Sequence, residues 1–330
     1  MDVNIYGGKI HIYGDLHLSC TYEGQHKSYI LECYKNMDNI INKVKQDKPS
    51  AIIFLGDVIG VNERNLRDRQ FLMRVLLFFK TLNELTNYNV YSVKGNHDIG
   101  DFSDFDFFVG IGYLKCPNYI DYYSSKDGSL EVRFHLVDYG KEGRKLDIRA
   151  DNDCSNVVLG HQDYVIEGVT DWYKHKNGVM LSRLGNYKGV DMVISGHIHS
   201  PSSEILVTSI AGEPIQLFYT GSPSRTAERF DDCWYVVFEY DGQETAYDAK
   251  LFGLEPASTV FYPKEDFIND DCSDEDMVRE SESLTQIVKE IMEGRMTNGD
   301  LFAQVRAVPG VSNKVKEIAC SYLQKAIDRR

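Results

Sequence analysis

The chain has 330 residues, 42% of them hydrophobic and 26% charged, which is ordinary for a soluble globular protein long enough to bury a sizeable core. A formal net charge of -14 is a poor electrostatic footprint for a protein that grips nucleic acid unaided, although it leaves room for a local basic patch, a metal-filled site or a basic partner. No run approaches about 20 uncharged apolar residues, so no membrane span is expected. The N-terminal stretch lacks the basic start and long apolar run of a signal peptide. Seven scattered cysteines without a CxxC pair read as free thiols in a reducing cytoplasm.

In chain order, KIHIY reads as a strand that ends in GDLH. A helix follows, with Ile30, Cys33, Met37, Ile40, Ile41 and Val44 on one face, and Lys48-Pro49 stops it. SAIIFL is a buried-strand run ending in GDVIG. A second helix is predicted from about Arg67 to Thr86, with Phe71, Leu72, Val75, Leu76, Phe79 and Leu82 as its buried stripe. NVYSV is a third strand, ending in GNHD. This alternation predicts parallel pairing through right-handed crossovers. Later runs, EVRFHLVDY, NVVLGH, DMVISGH, PIQLFYTGS and WYVVFEYD, lie closer together and predict a second sheet. The result is an α/β sandwich. After Glu255 the composition shifts. The stretch 265–282 is strongly acidic and reads as a linker or solvated surface, and helical pattern returns from Leu284, with Ser312 as an N-cap.

Five apolar runs end in short polar clusters: Asp15 and His17 in GDLH, Asp57 in GDVIG, Asn96, His97 and Asp98 in GNHD, His161 in GHQD, and His197 and His199 in GHIHS. Sites in α/β sheets form beyond the carboxyl ends of strands, so five such clusters can converge. A glycine precedes each, which lets the backbone turn sharply and approach a ligand. Imidazoles, two carboxylates and an amide oxygen suit two borderline divalent cations. The absence of cysteine from the set argues against a structural thiolate zinc site.

This ordered set, D-x-H, GD, GNHD, GH and GHxH, resembles the calcineurin-like metallophosphoesterase superfamily over roughly residues 8 to 225. The resemblance implies a sandwich of two β-sheets flanked by helices and a two-metal hydrolysis of phosphoesters. It implies that Asp15, His17, Asp57 and His199 hold one cation, and that Asp57, Asn96, His161 and His197 hold the other, with Asp57 as bridge. His97 would be the catalytic histidine that is not a ligand, and Asp98 the carboxylate that orients its ring.

Within the superfamily, the Arg and second Asp of the phosphoprotein phosphatase pattern are absent after Asp57. GDVIGVNERN, with Asn62, and the Tyr219, Gly221, Ser222 and Pro223 of FYTGSP look more like the Mre11/SbcD nucleases. That likeness implies a DNA exonuclease/endonuclease of compact bacterial or phage type, with Mn²⁺ as the expected metal and Mg²⁺, Fe²⁺ or Zn²⁺ as alternatives. It also implies DNA and a Rad50/SbcC-like ATPase as partners, with homodimerisation, and a cytoplasmic role in DNA repair or recombination. Basic candidates for DNA contact are Arg64, Arg67, Arg69, Arg225 and Arg229. The expected organisation is a nuclease domain over 1–225, a small capping region and acidic linker over 226–282, and a helical, ATPase-binding tail over 283–330. The competing functions are a small-molecule phosphodiesterase or phosphoprotein phosphatase of the same superfamily, and a non-catalytic scaffold.

Overall fold

The structure is a computed structural model that describes residues 2–20, 28–60, 68–99, 103–140, 153–165, 179–180, 189–199, 201–202, 205–208, 214–224, 233–240 and 245–254. The acidic stretch, the helical tail, Asn62, Arg64, Arg67, Arg225 and Arg229 lie outside the described residues. In chain order the elements are β1 (Asp2–Tyr6), β2 (Ile10–Tyr13), α1 (Ser28–Asp47), β3 (Ala51–Phe54), α2 (Arg69–Leu85), β4 (Val90–Ser92), α3 (Asp104–Gly110), β5 (Tyr119–Tyr123), β6 (Leu130–Val137) and β7 (Ser155–His161). They continue with β8 (Tyr164–Val165), β9 (Val179–Met180), β10 (Met192–Gly196), β11 (Ile205–Thr208), β12 (Pro214–Tyr219), β13 (Trp234–Tyr240) and β14 (Thr245–Leu251).

Two sheets form the body. One has the order β1-β5-β6-β7-β10-β12-β11, the other β14-β13-β2-β3-β4, and β8 and β9 pair by themselves. β2, β3 and β4 run parallel through the crossovers α1 and α2, as the alternation predicted. The period of a strand sorts the residues of β2 between two cores. Ile10 and Ile12 face the other sheet, where they meet Ile53, Leu55, Phe134, Leu159, Ile194 and Phe238. Tyr13 faces the helices, in one cluster with Met37, Phe54, Phe79 and Phe105. A third cluster, Val158, Val193, Leu217 and Tyr219 among it, covers the far face of the larger sheet.

The helix signals act as read. Cys33, Met37, Ile40 and Val44 are buried on α1, with Ile30 and Ile41 at the margin. Asp68 caps α2 by accepting the Phe71 N–H at 2.9 Å. Helix α3 was not foreseen. It is short, and Ser103 caps it by accepting the Asp106 N–H. The expected boundary at residue 225 would separate β13 and β14 from the sheet they belong to. β13 pairs antiparallel with β2 and with β14, so residues 234–251 complete the smaller sheet and build the body around the site.

Candidate metal centre

The nine singled-out residues sit where β2, β3, β4, β7 and β10 end, on one edge of the sandwich. Strands that leave a sheet in parallel deliver their following residues to the same edge. Leaving it takes unusual backbone. His17, Asp57 and His197 adopt φ of 44°, 46° and 76°, a left-handed region that β-carbon sterics disfavour. Gly56 adopts φ 91°, and a Cβ there would stand 2.6 Å from His161 Nδ1 and 2.7 Å from Gly95 N. A Cβ on Gly95 would overlap the Asp57 carboxylate. Only glycine lets the second and third motifs come this close.

All seven expected ligands converge. The nitrogens His17 Nε2 and His199 Nε2 are 3.0 Å apart, and together with an Asp15 oxygen they form one group of potential ligand atoms. Asn96 Oδ1 lies 3.0 Å from His161 Nε2 and 2.9 Å from His197 Nδ1. Between these groups stands Asp57 Oδ2, 3.2 Å from His161 Nε2 and 3.7 Å from His17 Nε2. Asp57 therefore faces both halves. The Asp15 carboxylate accepts the His197 N–H at 2.9 Å and faces His161 Nδ1 at 3.3 Å.

The donor set fits divalent cations. Asp15 and Asp57 are buried, and among the described residues their ion pairs are all with imidazoles, never with Lys or Arg. Lone pairs crowd inward without a fixed positive charge to satisfy them. Without a cation such a set would compensate with protons. Burial disfavours charge on His161, but Asp15 and Asp57 overcome this and raise its pKa to about 9. Burial also works against the Asp57 carboxylate, yet the His161 hydrogen bond and charge hold it well below the usual range. Burial pushes Asp15 up. His17 is driven down to about 3 and His197 to about 4, chiefly by burial, which leaves both neutral and fit to coordinate. His161 Nδ1 lies 2.7 Å from Leu55 O, an outer bond that presents Nε2 to the centre.

His97 stands at the mouth, its side chain 38% exposed and its Nε2 3.8 Å from Asp57 Oδ2. Its backbone N–H donates to Asp57 Oδ1 at 2.8 Å, which fixes the turn against the shared carboxylate. Asp98 is not where the resemblance put it. Its carboxylate turns inward, fully buried, and accepts the Gly95 N–H at 2.9 Å, while among the described residues Oδ1 has no hydrogen-bond partner. The four-residue turn closes on itself through this bond, and among the described residues no hydrogen bond joins Asp98 to the His97 ring. Burial raises its pKa to about 7.

Three further residues support the site; Ser195 and Tyr139 carry no motif signal, and Ser222 belongs to the GSP segment already singled out. Ser222 donates its hydroxyl to Asp15 O at 2.7 Å and its N–H to His199 O at 3.2 Å, which ties the first and last motifs together. Ser195 accepts the Gln162 N–H at 3.0 Å, which links the ends of β7 and β10. Tyr139, just beyond β6, packs its ring near His161 and His197.

A comparison with curated proteins finds no match. Among solved structures, a dimetal phosphatase from Danio rerio is similar, with 11% identity and a TM-score of 0.47 over 75% of this chain and 99% of that one. A protein from Thermus thermophilus is similar at 10% identity and a TM-score of 0.39, over 74% and 99% of the two chains. At these values the likenesses say nothing about substrate. The calcineurin-like phosphoesterase family model matches residues 8–201, more than half of the sequence, and the chain belongs to that family.

Proposed function

We propose that this metallophosphoesterase is a DNA nuclease of the Mre11/SbcD type, the exonuclease/endonuclease subunit that works beside a Rad50/SbcC-like ATPase in DNA repair or recombination. The observation that carries the reading is the Tyr219–Pro223 segment. In sequence it matches the Y-x-GSP feature of those nucleases. In the fold its Ser222 braces the backbones of Asp15 and His199, so the feature belongs to the site rather than to an incidental turn.

Two divalent cations, Mn²⁺ by preference, would be held by Asp15, His17, Asp57 and His199 and by Asp57, Asn96, His161 and His197. When bound, such a pair clamps a phosphate and lowers the pKa of water enough to supply a nucleophile at neutral pH. The protein's own share is positional. Asp57, fixed by the His97 N–H, sets the spacing of the two halves. His97, at the mouth, donates a proton to the leaving oxygen. The acidic chain leaves most of the grip on DNA to its ATPase partner, in the cytoplasm, and a homodimer would double the sites. No helix among the described residues is long and apolar enough to cross a membrane.

The test measures Mn²⁺-dependent hydrolysis of DNA, of bis(p-nitrophenyl) phosphate and of p-nitrophenyl phosphate, with and without the ATPase. DNA cleavage that the ATPase stimulates is the expected result. Rapid turnover of the aryl esters with DNA untouched would move the protein to the small-molecule phosphodiesterases or phosphatases. Metal uptake without turnover of any substrate would make it a scaffold.

A further inference from the structure

A ligating imidazole is usually aimed by a hydrogen bond from its other ring nitrogen. His161 has one, to Leu55 O. His197 is different. Its Nδ1 faces Asn96 Oδ1 at 2.9 Å, and among the described residues its Nε2 has no hydrogen-bond partner. Its backbone is also strained, at φ 76°. Beyond the Asn96 contact, what holds this ring is packing. It lies 5.1 Å from the His161 ring at 64°, and 5.4 Å from the Tyr139 ring at 46°. Tyr139 also reaches His161, 6.2 Å away at 71°. Its own placement is rigid. The Tyr139 N–H donates to Lys94 O at 2.8 Å, on the residue just before the GNHD turn, and Lys94 N–H in turn donates to Asp138 at 2.9 Å. The next residue, Gly140, reaches Gln162 beside His161.

We propose that Tyr139 is a positioning residue whose ring keeps the His197 imidazole turned with Nδ1 toward the Asn96–His161 half of the centre. Aromatic rings at such separations favour edge and tilted arrangements. That packing adds to the single Asn96 contact in selecting one rotamer of the ring. The ring does the work, not the hydroxyl. The proposal rests on the reading that Asn96, His161 and His197 share a cation, and two measurements separate the two ideas.

The first uses the metal-free full-length protein. Imidazole NMR of wild type should show His197 with a single ring orientation, by contacts from its ring protons to Tyr139. In Tyr139→Ala the His197 ring should average over orientations while His161 stays fixed; Tyr139→Phe should behave as wild type. The second is Mn²⁺ titration by calorimetry. Tyr139→Ala should weaken one of two cation sites about 10–100-fold, the usual effect of losing an outer support, and Tyr139→Phe should restore it. An unchanged His197 ring in Tyr139→Ala would overturn the proposal, as would two wild-type Mn²⁺ affinities in that variant. A wild-type protein that takes up a single cation would overturn the shared-cation reading, and the metal-free spectra would still decide the role of Tyr139.

Discussion

Replacing His97 with alanine tests the chemistry most directly, because the side chain does little else. Its ring is partly exposed, lies 3.8 Å from Asp57 Oδ2, and makes one edge contact with His17 at 5.2 Å. The hydrogen bond that organises the turn comes from its backbone N–H and survives the substitution. Stability should therefore change by under about 1 kcal/mol, as for most exposed positions. Catalysis should change far more. A general acid contributes about 10²–10⁴-fold, or roughly 3–5 kcal/mol of barrier. The size must depend on the leaving group. The oxygen that leaves a DNA phosphodiester needs a proton, whereas p-nitrophenolate departs without one. His97→Ala should lose about 10²–10⁴-fold in kcat on DNA but under about 10-fold on bis(p-nitrophenyl) phosphate. Steady-state rates at saturating Mn²⁺, with elemental analysis of the same samples, make the comparison. Equal losses on both substrates would refute the acid role. So would the loss of a cation, since His97 would then be a ligand.

Asp57→Asn should keep the fold, because the amide oxygen can still accept the His97 N–H, but should bind neither Mn²⁺ ion at concentrations that saturate wild type; calorimetry decides. Gly56→Ala should cost about 1–3 kcal/mol in urea unfolding, through φ 91° and the crowding of His161 and Gly95, and should weaken metal uptake with it. His11 predicts a pH dependence unrelated to the metal. Burial holds it down at about 4, with Asp47 opposing at 3.2 Å. The folded state therefore binds fewer protons than the unfolded one between the two pKa values. Its contribution is complete above about pH 6.5 and is lost as pH falls to about 4, at most roughly 3 kcal/mol. The fall in urea midpoint over that interval should be shallower in His11→Phe than in wild type.

Much of the fold was written locally. The β2-α1-β3-α2-β4 unit could be read because apolar period and stop signals coincide there, as at Val44 and Lys48-Pro49. β1 and β5 were missed because their few buried apolar residues, Ile5, Ile120 and Tyr122, sit among polar and exposed neighbours and make no apolar run, although Gly7-Gly8 and Asp127-Gly128 mark their ends. β13 was read as a strand but assigned to a cap. Its partner β2 lies more than two hundred residues earlier, and nothing in WYVVFEY names that partner. The candidate ligands were legible for a chemical reason: coordination demands particular donors, and close approach demands glycine before them. Their supports were not. Ser195 and Tyr139 act across long separations through an ordinary hydroxyl and a ring, which leave no spacing rule, and Ser222 was singled out with its GSP segment without its bracing role being readable. Asp98 shows the converse failure. A motif named its residue type, but only the folded turn shows that its Oδ2 accepts the Gly95 N–H.

The cost of the site is the least legible part, and it leads to a last prediction. Three of its residues, His17, Asp57 and His197, hold positive φ, each at a cost of order 1–3 kcal/mol. The metal-free centre also buries two carboxylates and relies on a proton at His161 for positive charge. Both penalties belong to the folded state alone, so the metal-free protein is less stable than its core would allow. Cations that bind only the folded arrangement offset them by mass action, by about 3 kcal/mol at one hundred times their Kd. Below about pH 9 their binding must displace the His161 proton, so affinity should fall as pH falls through the neutral range. The melting temperature should therefore rise with Mn²⁺, rise less at pH 6 than at pH 8, and return to its starting value in excess chelator. A melt indifferent to Mn²⁺ at both pH values would mean that the converging donors do not form a metal centre.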